Sequence, residues 1–87
     1  MKKTNSRYLD FFDRNVSKMI CEKYGMSEME SIRSFLTSET YEMLETEETE
    51  IFTMSPFAVF DMWECEKISG NPRMSVYIRE VLSLIHI

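Results

Sequence analysis

The sequence predicts an all-α protein, a single domain built as a small bundle of four to five short helices. Three observations carry that reading. Apolar residues recur at three- and four-residue steps, recognisable start and stop signals bracket those stretches, and only two Gly stand in 87 residues beside eight Met, six Phe, four Tyr and one Trp. So few glycines and so many large, adaptable apolar side chains favour packed helices over a sandwich with its many tight turns. A chain this short buries only about 60–65% of the surface its unfolded form exposes, so an aromatic-rich core is needed to hold it.

Met1–Asn5 is polar and basic with no apolar period, and is read as a frayed start. Residues 6–79 make the helical domain. From Ser6, the residues Leu9, Phe12, Val16, Met19 or Ile20, and Tyr24 keep helical spacing. Asp10 and Asp13 lie early, Lys18 and Lys23 late, and Gly25 ends the run, which gives a helix over 6–24. Ser27-Glu28-Met29-Glu30 has the form of a capping box, so a second helical stretch starts at 28 and runs to 45. Met29, Ile32 and Phe35 or Leu36 are its expected buried stripe. Thr37-Ser38 offers either a new N-cap or a polar step in one longer helix, and Tyr41 and Leu44 continue the period over Glu39–Glu45.

Thr46–Glu50 carries three carboxylates and no apolar residue, and reads as a loop or helix end; Ile51 and Phe52 return the chain to the core. Ser55-Pro56 is the strongest start signal, an N-cap hydroxyl followed by a proline where a missing N–H costs nothing. A helix over 56–69 follows, closed by Gly70, with Val59, Phe60, Trp63, Lys67 and Ile68 on one stripe, Met54 stapled against Val59, and Asp61, Glu64 and Glu66 toward water. Trp63 is expected to be buried against Phe60 and the first helix. Asn71-Pro72 repeats the cap-and-proline pattern. Beyond it two readings stand: a helix with Met74, Ile78, Val81 or Leu82 and Ile85 on one face, or an extended segment on the strand propensity of Val76-Tyr77-Ile78. Residues 80–87 are read as a tail, whose end, Leu82–Ile87, resembles translated sequencing-adapter read-through, and nothing functional is rested on His86.

Charge is unevenly spread. Ser34–Glu66 holds nine carboxylates and no Lys or Arg, whereas the segments before and after it are each +2 in a chain of net charge −5. That balance is the opposite of what a phosphate-binding surface needs, so nucleic acid is not the expected partner. Cys21 and Cys65 have no Cys or His at ligand spacing and no signal peptide before them, and read as reduced thiols of a cytoplasmic protein. No apolar run reaches the length of a membrane span. One His, no glycine-rich phosphate loop, no His-Glu-x-x-His and no Cys-x-x-Cys leave no nucleophilic couple and no cofactor or metal set, and Glu45–Glu50 lacks the spacing and turn Gly of a calcium loop. The chain is therefore not expected to be an enzyme.

Phe35-Leu36-Thr37-Ser38-Glu39-Thr40-Tyr41, Ser55-Pro56, Asp61-Met62-Trp63-Glu64 and Gly70-Asn71-Pro72-Arg73 with Val76-Tyr77-Ile78-Arg79 resemble a family of small uncharacterised bacterial helical proteins encoded beside toxin–antitoxin-type, ADP-ribosyltransferase-like genes. The likeness spans roughly residues 16–79 and implies a helical accessory or antitoxin-like role with no active-site residues. The pattern of that family ends soon after Arg79, and Glu80–Ile87 departs from it.

These readings converge on an acidic protein-interaction module, a regulatory or antitoxin-like accessory protein that meets a basic protein surface. Its candidate contact residues are Glu42, Glu45, Glu47, Glu48 and Glu50, with Met43 and Met62 at the edges of their stripes supplying apolar contact. The alternative is a helix-turn-helix DNA-binding regulator, because Gly25 separates two helices by a short turn. It requires a basic patch assembled from Lys2, Lys3, Arg7, Arg14 and Lys18, and its second helix offers only Arg33 against Glu28 and Glu30.

Overall fold

A computed structural model describes residues 2–75. Among these the chain forms an all-α bundle of four helices, α1 (Ser6–Tyr24), α2 (Glu28–Leu36), α3 (Glu39–Glu45) and α4 (Pro56–Ser69), with 3₁₀ turns at Glu47–Thr49, Ile51–Thr53 and Pro72–Met74. The choice between helix and extended chain after Met74, and the tail over 80–87, lie outside the described residues.

The helix ends obey local chemistry. Asn5 accepts from the Arg7 amide at the start of α1, one residue before the first helical one, and Gly25 closes the helix in the left-handed conformation (φ 65°). Ser27 caps α2 through the Glu30 amide, but the Glu30 carboxylate accepts from the Ser27 hydroxyl and does not return to its backbone, so only half of the capping box forms. At Thr37-Ser38 the helix breaks. Ser38 is extended and nearly buried; its hydroxyl donates to the Phe35 carbonyl at 2.6 Å and accepts from the Tyr41 amide at 3.1 Å, so one side chain ends α2 and starts α3. Ser55 and Pro56 open α4 and Gly70 (φ 81°) closes it, while the Asn71 side chain accepts from the Arg73 amide.

Phe12, Val16 and Ile20 of α1, Phe35 of α2, Leu44 of α3, Ile51, and Val59, Met62 and Trp63 of α4 make one core, with Leu9, Tyr41, Met43, Met54 and Phe60 packed against it. The first-helix stripe buries Phe12, Val16 and Ile20, with Leu9 and Met19 half-buried, but its last member, Tyr24, is 47% exposed and meets the core only through the edge of Trp63. Two other stripes differ. In α2 the inward pair is Ser31 and Phe35, and Met29 is 69% exposed. Phe35 of the expected row is inward, while Met29 and Leu36 turn outward and Ser31 takes an inward place. In α4, Ile68 is 84% exposed and Met62 is fully buried. The single-stripe template fails there because α4 packs at once on α1, α3 and the Pro72–Met74 turn, so more than one of its faces is covered. Trp63 is buried as expected. It stacks on Phe60 at 6.1 Å, meets Tyr24 of α1 edge-on at 5.8 Å, and directs its indole N–H at the Ser34 carbonyl.

Residues 2–4 run alongside the C-terminal end of α3 and the turn after it. Lys3 pairs with Thr46, the Glu47 amide donates to the Lys2 carbonyl, and buried Thr4 donates its amide to the Glu45 carbonyl at 2.7 Å and its hydroxyl to that of Leu44. The open C-terminal carbonyls of α3 recruit this strap, since a helix end leaves acceptors that need donors from elsewhere.

Two stability measurements check this description. Trp63→Ala removes the largest core side chain and is expected to cost about 3–5 kcal/mol in denaturant unfolding, and native tryptophan emission should be that of an indole out of water. Glu50 holds φ at 57° without being glycine, so Glu50→Gly is expected to raise stability by up to about 1 kcal/mol, and a loss on that substitution would contradict the strain.

Candidate interaction surface

The nine carboxylates of Ser34–Glu66 divide into two sets once the helices are packed. Glu39, Asp61, Glu64 and Glu66 are engaged inside the fold. Glu66, on α4, lies at the N-terminus of α3, where it accepts from the Glu39 and Thr40 amides, both at 2.9 Å, and from the Thr40 hydroxyl at 2.8 Å. A carboxylate there satisfies orphan amides and faces the positive end of the helix dipole. Glu39 pairs with Arg73 at 2.8 Å, Asp61 accepts from the Ser75 hydroxyl at 2.6 Å, and Glu64 meets both Lys23 and the Tyr24 hydroxyl. The sequence places Asp61, Glu64 and Glu66 toward water; the packing turns all three into inter-element contacts, because donors from α1, α3 and the last turn converge on the outer face of α4.

The second set is Glu42, Glu45, Glu47, Glu48 and Glu50. Among the described residues none of the five makes an ion pair, and of their carboxylates only that of Glu48 accepts a hydrogen bond, a long one of 3.4 Å from the Lys2 amide. All but half-buried Glu45 are exposed. Glu42 stands mid-helix in α3, whereas Glu45 at its end and Glu47, Glu48 and Glu50 in the turn after it lie where the helix dipole is negative and no basic residue stands in the last turn. Position and like charge therefore both work against them.

That negative potential reaches α1. Burial pushes the Asp13 carboxyl above its ordinary range; Tyr41 partly offsets this, while Asp10 and Glu45 add to it. The Tyr41 hydroxyl in turn is pushed up to about 12, by burial first and then by the charges of Asp13 and Glu45. Tyr41 itself packs edge-on to Phe35 at 5.2 Å, so it is a half-buried core residue.

Of the apolar candidates, Met43 is half-buried and packs on the core, and Met62 is no part of any surface, being fully buried between α4 and its neighbours. Exposed aromatics occur instead at Tyr24 of the first-helix stripe and at Tyr8, Phe11 and Phe57, which no acidic or stripe argument singles out. The spacing of α1 assigns its inward residues and leaves the outer face unexamined, so the available signal was two aromatic residues three apart off the buried row.

The basic residues do not gather into one patch. Lys2 and Lys3 share a shallow pocket with Glu42 and Glu45, while Arg14 and Lys18 line the groove between α1 and α2 together with Asp10, Asp13, Glu22 and Glu28. Cys21 and Cys65 are free and half-buried, and burial, with Asp61 beside it, pushes the Cys65 thiol up. Among the described residues no group of three or more His, Cys, Asp or Glu could hold a metal ion, and no helix is long and apolar enough to cross a membrane. No protein-family model matches the chain, and neither a curated protein nor a solved structure matches it.

Glu66 gives a pH signature. Its burial favours the neutral acid, but the bonds from Glu39 and Thr40, aided by Lys67, outweigh burial and hold its carboxyl below the usual glutamate value. A carboxyl lowered on folding stabilises the native state above its ordinary pKa, and that contribution is lost as pH falls through the lowered value. Glu66→Ala is expected to cost about 1–3 kcal/mol at neutral pH. Between wild type and Glu66→Gln the stability gap should narrow on acidification below about pH 4, as read by denaturant unfolding; a gap independent of pH would contradict the cap.

Proposed function

We propose that this chain is an acidic protein-interaction module whose α3 end and following turn bind a basic surface of another protein. One observation carries the reading: the same segment that engages four of its carboxylates in internal contacts, two of them as ion pairs, keeps five others, Glu42, Glu45, Glu47, Glu48 and Glu50, without an ion pair among the described residues. Five like charges, four of them at or beyond the negative end of a helix, cost stability, and a cationic partner recovers that cost on docking while attracting the encounter over a Debye length. The resemblance of Phe35–Tyr41, Asp61–Glu64 and Gly70–Arg73 to accessory proteins encoded beside toxin-type genes supports a regulatory, antitoxin-like setting and makes the product of an adjoining gene the first partner to try.

Replacing the five glutamates by glutamine and measuring association with that purified product tests the reading. The association rate at low salt is expected to fall by about tenfold or more, and the difference between variant and wild type to close at high salt. An unchanged rate at low salt would leave these side chains with solubility as their sole role.

A further inference from the structure

The rings of this protein are treated differently at its two ends. Near the C-terminus of α1, Lys23 lies over Tyr24 and Phe60 at 5.8 and 5.6 Å from the ring centroids, and Lys67 lies 5.5 Å over Trp63. At the N-terminal end of α1, Tyr8 is 48% and Phe11 49% exposed, and Tyr8 packs against half-buried Phe52 with centroids 5.1 Å apart and planes 47° apart. Among the described residues no cation covers any of these three rings.

Phe52, with Tyr8 packed on it, directly follows the free carboxylates along the chain. Phe52 stands two residues after Glu50 in a 3₁₀ turn whose last amide, that of Thr53, donates to the Glu50 carbonyl. Tyr8 follows the strap that places Lys2 against Glu47 and Glu48. Tyr8 and Phe11, three apart on one helix, share a face. An apolar ring beside unpaired carboxylates suits one kind of side chain, a planar cation that offers hydrogen-bond donors at its edge and a weakly hydrated face to the π system. That is the arginine guanidinium; an ammonium is more strongly hydrated and lacks the fork that matches a carboxylate.

We propose that Tyr8, Phe11 and Phe52 are the apolar floor of the acidic docking surface, and that the occupant is an arginine-bearing segment of a protein partner, its guanidinium groups stacked on these rings and hydrogen-bonded to Glu47, Glu48 and Glu50. The inference rests on the acidic-surface reading above and adds to it the side-chain chemistry of the partner. Met62 being buried, these rings take over the role of apolar anchor that the sequence assigns to the methionines.

The test uses two fluorescein-labelled synthetic peptides of equal length and charge, one with arginine and one with lysine at every basic position, titrated with the whole chain by fluorescence anisotropy. Wild type is expected to bind the arginine peptide about threefold or more tightly than the lysine peptide. The double variant Tyr8→Leu, Phe11→Leu keeps the apolar packing and removes two of the three π faces, so its melting temperature should hold while the ratio falls toward one. The five-glutamine variant should weaken binding of both peptides and keep the part of the arginine preference that the rings supply. A wild-type ratio of one, or a ratio unchanged in the leucine variant, overturns the aromatic floor while leaving the acidic surface standing. Unchanged binding by the glutamine variant overturns the acidic surface itself. A dimer in light scattering that Tyr8→Ser, Phe11→Ser disperses would show that a second copy covers these rings, and would also overturn the proposal.

Discussion

The arrangement of this bundle depends on one carboxylate. Glu66 on α4 accepts from two amides and a hydroxyl at the N-terminus of α3, a helix of seven residues too short to persist on its own. Two further contacts lie on either side of it: Ser38 ties the start of α3 to the end of α2, and Arg73 reaches Glu39 from the last turn. With its N-terminus held in this way and its C-terminus strapped by Thr4, α3 is positioned from outside at both ends and adds Leu44 to the core between them. The acidic turn after α3 owes its place to that clamp.

Electrostatics then separates what builds the fold from what faces outward. Carboxylates on α4 and at the start of α3 find donors because α1, α3 and the Pro72–Met74 turn converge there, and each contact crosses between elements distant in sequence. Those at the other end of α3 meet a backbone whose amides are already spent and a dipole of the wrong sign. The same type of residue, within one uninterrupted acidic stretch, is thus structural at one end and unpaired at the other. The aromatic residues follow a parallel division, with Lys23 and Lys67 covering the rings around Trp63 and none of the described cations covering Tyr8 and Phe52.

Much of the element structure was readable from local chemistry. Ser27, Ser38, Ser55 with Pro56, Gly25 and Gly70 act on atoms within about four residues of themselves, so their signals survive without knowledge of the fold, and the boundaries they mark agree with the helices. Phe12, Val16 and Ile20 were equally plain, because a long helix packed along one face repeats its pattern over several turns. The candidate surface was readable as a charge count, and the exposure of Glu42, Glu47, Glu48 and Glu50 accords with it.

What composition and spacing determined by themselves is therefore the all-α class, the helix limits other than the break at Thr37-Ser38, and the presence of a run of negative charge. Which carboxylates of that run are spent inside the molecule, why Met62 is buried and Met29 is not, and why Tyr8 packs on Phe52 were decided only by tertiary structure. The physical reason is range. A cap or a periodic stripe is an interaction of a residue with its own helix, whereas the partner of Glu66 lies 26 or 27 residues away and that of Glu64 lies 40 away, and no pattern within a helix specifies which element will be packed opposite it.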